Sequence, residues 1–225
     1  MYFPKGTLEM GKPGEFSRKE ILNLLVAMGI LTIAFSFTTS GNNLIFSGFK
    51  NLENFPSSIL LSFLGIVSAF FVHEISHKFM AQKYGLWSEF RMYPQGLILS
   101  FILAFLTGFV FAAPGAVMFR GESRTFETGR IAAAGSSANI VTAAITLILY
   151  NVFFEFEDIG ILFAFICLVN ILLAIFNLLP FAPLDGSKVI HWNGVIWSIL
   201  FIISIVLFFL LFKNGIPYFF NFISN

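Results

Sequence analysis

His73, Glu74 and His77 fall in the stretch Phe70 to Met80, FFVHEISHKFM. Histidines four residues apart stand on one face of a helix, one turn above the other. There both rings can reach a single zinc ion at about 2.0–2.1 Å each. Glu74 follows about 100° round the helix, placed to act as a general base on a water at that metal. The plainer reading is a helix carrying two polar histidines for packing or interfacial hydrogen bonds. A catalytic zinc also needs a third protein ligand and an open position. The candidates are Asp158, Asp185 and His191, because the chain has only two aspartates and one further histidine. Asp158 sits in an acidic cluster with Glu155 and Glu157, which solvation explains. Asp185 follows Pro180 and Pro183 between two apolar runs. An aspartate at membrane depth costs about 2.5–3.5 kcal/mol, so it points to function by default. An interfacial Asp185-Gly186 turn is the alternative. His191, beside Trp192, reads as an interfacial residue.

The elements that must position these side chains are set by composition. The chain is 57% hydrophobic and 11% charged, with 32 Phe and a mean hydropathy of +0.87. Soluble domains carry about 25% charged residues, so this composition belongs in a lipid bilayer. With no basic run, no nucleic-acid partner is expected. A single cysteine, Cys167, excludes both an internal disulfide framework and a cysteine zinc knuckle.

Ser17 to Glu20 has the pattern of a capping box, opening a retained first span over Ile21 to Phe37. A polar loop over 39–56 leads to a second span, Ser57 to about Lys78, with the histidines in its last turns. The metal is thus expected inside the membrane, near the end where the helix exits at Lys78. Residues 84–94 alternate like a strand, and Ala116 to Phe119 read as another. Between them lies an apolar run, Leu97 to Ala113. Further spans are expected over Ile131 to Phe154, Ile159 to Leu179 and about Gly194 to Phe212. The expected fold is an all-α polytopic membrane protein with five to six transmembrane helices and a short membrane-associated β-hairpin or re-entrant element. It is read as one membrane domain over 1–225, with a catalytic core at about 57–190.

Three motifs, HEISH at 73–77, AGSSAN at 134–139 and NLLPFAPLDG at 177–186, together resemble the site-2 protease family of intramembrane zinc metalloproteases. The motifs fall in that family's order and, with their helices, cover about half the chain. The resemblance implies one zinc ion per chain, with His73, His77 and Asp185 as ligands and Glu74 as the base. It implies substrate-binding roles near the active site for Asn139 and Asn177, and transmembrane proteins as substrates. It points to a form without the PDZ or CBS domain of many relatives. Two departures stand out: the family often has Ala-Gly-Pro where this chain has Ala134-Gly135-Ser136, and a proline where this chain has Ala182. A metal-ion transporter and a catalytically silent membrane scaffold are the competing classes; oligomeric state is not legible.

Topology follows from the site. Asp185 must return to the face where the histidines exit, so Leu97 to Ala113 is expected to re-enter, turning near Thr107-Gly108. Counting Lys and Arg, re-entry also concentrates basic residues with the N-terminus. The expected location is the cell membrane, multi-pass, with the N-terminus cytoplasmic.

Overall fold

A computed structural model describes residues 15–110, 114–121 and 123–214. The Gly- and Pro-containing start, the end of the Leu97–Ala113 run and the aromatic tail beyond 214 lie outside these residues. Among the described residues, five helices are long and apolar enough to cross a membrane. The chain is a multi-pass membrane protein.

Helix α1 (Arg18–Thr39) has 22 residues, about 33 Å, enough for a hydrocarbon core of about 30 Å. Ser17 caps it, its Oγ accepting the Glu20 N–H at 3.1 Å. The other half of the expected capping box is not made. The Glu20 carboxylate turns instead to Lys78 Nζ, 2.5 Å away, and accepts the Phe90 N–H at 3.0 Å.

The second span is a continuous rod, Leu52–Lys83, built from α2 (Phe55–Ile66), a π-helical turn (Val67–Phe71) and α3 (Val72–Lys83). It runs antiparallel to α1: Ser62 meets Thr39 near the far end of α1, whereas Lys78 meets Glu20 near its start. The helix does not end at Lys78. Lys78 is fully buried, bonded to Glu20 and to the Ser88 carbonyl, and the helix continues to Lys83. A charge is tolerated inside the protein because it is paired and hydrogen-bonded.

Strands β1 (Trp87–Met92) and β2 (Gly115–Arg120) pair antiparallel, with Trp87 opposite Arg120 and Met92 opposite Gly115. The apolar run between them forms α4 (Pro94–Thr107), whose 14 residues extend about 21 Å, short of a full crossing. Because β1 and β2 are paired, the chain comes back to where it left. The turn falls at Gly108, whose φ of 73° suits a residue without a β-carbon. There the last carbonyls of α4 find partners: Leu44 N–H bonds to Phe105 O and Ile45 N–H to Leu106 O, and Thr38 Oγ1 donates to Gly108 O. The turn of the re-entrant element thus sits beside Thr38, near the end of α1.

Helix α5 (Thr125–Phe153) is central and packs against α3, α6, α7 and α8. It is followed by α6 (Glu157–Asn177), the short α7 (Asp185–Trp192) and α8 (Gly194–Asn214). One core joins α5, α6 and α8 through residues such as Ala143, Cys167, Ile171, Ala174 and Leu211. A second joins α1, the end of α2, the π turn, β1 and α4 through Leu31, Ile66, Phe70, Phe90 and Leu97. Alanines in the first let the helices approach closely, which is how apolar helices gain packing energy in lipid.

Candidate metal centre

His73 and His77 sit on the face of α3 that meets α5, and both are buried. Their rings cross at 87° with centroids 4.5 Å apart. Each Nδ1 meets an acceptor: His73 has Asn139 Oδ1 at 2.6 Å, and His77 has the Ile131 carbonyl at 2.7 Å. These acceptors assign the ring hydrogen to Nδ1 and turn the Nε2 lone pair inward. The Asn139 orientation is itself fixed, because Nδ2 donates to Ala69 O at 3.0 Å and to Asn170 Oδ1 at 2.9 Å.

Asp185 arrives from the N-terminus of α7. Its Oδ2 lies 2.8 Å from His77 Nε2 and 3.4 Å from His73 Nε2, and the two Nε2 atoms are 2.9 Å apart. Three lone-pair atoms converge with no hydrogen between them, an arrangement that a cation would relieve. Tetrahedral zinc at about 2.0–2.2 Å has ligand–ligand edges of about 3.3–3.6 Å, so the set closes slightly tighter than a zinc shell. The donors, two imidazoles and a carboxylate, also fit zinc.

Glycine makes both approaches possible. A β-carbon on Gly135 would lie 2.6 Å from His77 Nε2 and 2.7 Å from His73 Cε1. One on Gly186 would lie 2.2 Å from the Leu178 carbonyl oxygen. The stretch Leu178 to Leu184, broken by Pro180 and Pro183, returns the chain so closely that only glycine fits beside Asp185. The Leu178 carbonyl accepts from Trp197 Nε1 at 2.6 Å, so its loss of a helical partner is made good.

Glu74 lies beside the histidines, and its Oε2 accepts the Val117 N–H of β2 at 3.1 Å. Glu74, His73, His77 and Asp185 all line one cavity of about 510 Å³, together with Gly115 to Val117. Asn177 also lines it, with Nδ2 bonded back to Leu173 O. Asn139 lies behind His73 instead, fully buried. Asp158 and His191 are exposed and outside the cluster, Asp158 at the opposite end of α6 from Asn177.

Three contributors were not singled out from the sequence. Asn170 holds Asn139 and donates to Ser68 Oγ in the π turn. An asparagine within an apolar span was the available signal. Lys188 donates to the other oxygen of Asp185, Oδ1, at 3.0 Å, and its signal was spacing three residues on along a helix. The Ile131 carbonyl left no signal, since every residue has one.

No protein-family profile matches the chain, and no solved structure does. The chain is 38% identical over 186 residues to a Methanocaldococcus jannaschii protein named "Putative zinc metalloprotease". The match covers 82% of this chain and 90% of that protein. With that identity and coverage, the chain belongs to the same family as this archaeal protein.

Proposed function

We propose that the protein is an intramembrane zinc endopeptidase of the site-2 type, cutting transmembrane protein substrates within or near their membrane spans. The observation that carries this reading is the convergence of His73, His77 and Asp185 beside Glu74 in a cavity walled by long apolar helices. The relative's name as a zinc metalloprotease supports it.

His73, His77 and Asp185 hold one zinc ion per chain. Bound there, zinc supplies Lewis acidity toward a water and a peptide carbonyl. Glu74 accepts a proton from the attacking water and delivers it to the leaving nitrogen, ending in its starting state. The Val117 N–H fixes Glu74 Oε2, which orients the carboxylate for that exchange. Asn139 holds the His73 ring and so acts as a positioning residue. Asn177, on the cavity wall, contacts substrate.

A peptide bond within a helix is shielded by its own turns. The substrate must unwind locally, and in lipid its freed backbone groups need partners. Strand β2 pairs with β1 along one edge, while Gly115 to Val117 line the cavity. An unwound substrate adds along that side as a further strand. The N-terminus lies in the cytoplasm and the host bilayer is the cell membrane, in keeping with the basic residues grouped on that side.

The test is cleavage of a membrane-spanning substrate by purified protein in vesicles, with and without a zinc chelator, alongside metal flux in the same vesicles. Zinc-dependent cleavage is expected. Metal flux without cleavage would move the protein to a transporter class.

A further inference from the structure

A second concavity lies on the outer side of α3 and α5, away from the metal centre. It is a groove of about 570 Å³ between α3, α5, the end of α7 and the start of α8, a size typical of molecular binding sites. Its walls are apolar, with Phe79 from α3, Ala134 from α5 and Leu200 from α8. Lys83 and Arg130 stand at one end, and no carboxylate lines it.

The order of residues along each helix gives the groove a direction. Lys83 ends the second span, Arg130 lies near the start of α5, and Trp192 ends α7 just before α8 begins. These three therefore share one membrane–water level. Phe79 lies one turn inward from Lys83, Ala134 one turn inward from Arg130, and Leu200 nearly two turns along α8 from its start at Gly194. The groove runs from a cationic, tryptophan-bearing interfacial end into the hydrocarbon.

That end is built. Arg130 donates to Tyr84 Oη at 3.2 Å and stacks toward the rings of Phe126 and Trp192, 5.7 and 5.8 Å from their centroids. Trp192 is itself fixed against Gly129, where a β-carbon would lie 2.3 Å from its Cβ. Among the described residues, neither Lys83 nor Arg130 has a carboxylate partner.

We propose that this groove binds an anionic phospholipid, its phosphate headgroup between Lys83 and Arg130 and one acyl chain along Phe79, Ala134 and Leu200. Two uncompensated cations at the interface select negative charge, and a basic pocket between transmembrane helices is where such headgroups bind. The apolar slot beneath them selects a chain.

The test uses full-length protein in bicelles of phosphatidylglycerol and phosphatidylcholine in equal amounts, with retained lipid counted by native mass spectrometry. One phosphatidylglycerol per chain is expected in preference to phosphatidylcholine. In Lys83→Gln/Arg130→Gln that preference should fall about 25-fold, at roughly fivefold per interfacial charge. Lys83→Arg/Arg130→Lys should keep it. Ser137→Phe fills the groove and should release the lipid with both charges intact, so the result does not rest on one variant. Equal retention of the two lipids, or a preference unchanged in both the charge and groove-filling variants, overturns the proposal. So does a lipid-free dimer that Ser137→Phe dissociates, which would assign the groove to a second copy of the chain.

Discussion

Gly135 stands so close to His77 that a β-carbon in its place would lie 2.6 Å from both Nε2 and Cε1 of the ring. The same atom would meet His73 Cε1 at 2.7 Å. Helix α5 is thus the back wall of the metal centre, and the two rings pack directly on its backbone. Gly135→Ala should displace both rings. Overpacking of this kind costs about 1–3 kcal/mol. The displaced ligands should lower zinc affinity about 10–100-fold, as loss of ligand orientation does elsewhere. Zinc per chain after dialysis against graded chelator measures this, and unchanged retention would detach Gly135 from the site.

The Glu74 carboxylate accepts from the Val117 N–H and stands outside the three-atom cluster of His73, His77 and Asp185. Glu74→Gln should leave zinc content near that of the native protein while lowering cleavage about 10²–10⁴-fold. The amide can still meet Val117 N–H through its oxygen, so β2 should stay in place. Metal analysis and turnover on one preparation separate the two effects, and native turnover with full zinc would remove Glu74 as the base.

Asp185 and His191 belong to the same short helix but face different surroundings. Asp185→Ala should abolish zinc retention and cleavage together, whereas His191→Ala should leave both within twofold or so, as an exposed substitution does. Lys188→Met removes the clamp on Oδ1 and should weaken zinc binding by about fivefold at most, because the amine is partly exposed. Zinc loss in His191→Ala with retention in Asp185→Ala would relocate the third ligand.

The Glu20–Lys78 pair joins the start of α1 to α3, one residue beyond His77, with both side chains buried. Lys78→Met alone strands a buried carboxylate and should destabilise the fold by about 3–5 kcal/mol. Glu20→Leu/Lys78→Met should recover most of that loss. Unfolding in mixed detergent compares the three proteins, and a harmless single change would mean that the pair contributes little.

The paired strands set topology. Single cysteines at Gln82 and Ser123, in a Cys167→Ser background, should be labelled from one side of the membrane, and cysteines at Phe46 and Glu155 from the other. Labelling of 82 and 123 from opposite sides would make α4 a crossing helix.

The sequence by itself determined the membrane class, the spans and the three principal ligand candidates. Apolar runs long enough to cross a bilayer are local in the chain, and so is the four-residue spacing that puts His73 and His77 on one face. The re-entrant turn at Gly108 was legible for another reason: bringing Asp185 to the histidines' end of the molecule allows no crossing by α4. Lys78 shows where local reading stopped. Its charge marked a helix end, yet Glu20, 58 residues earlier, takes it into the interior. Only the tertiary structure decided that Asn139 stands behind His73 while Asn177 lines the cavity, since both are asparagines on apolar helices. Only it could show that Val117 holds Glu74, that the Ile131 carbonyl sets the tautomer of His77, and that Gly135 is spared a side chain for the rings. These are backbone features, and every residue type but proline offers the same amide and carbonyl. Which of them meets a given side chain is set by how the helices and strands pack.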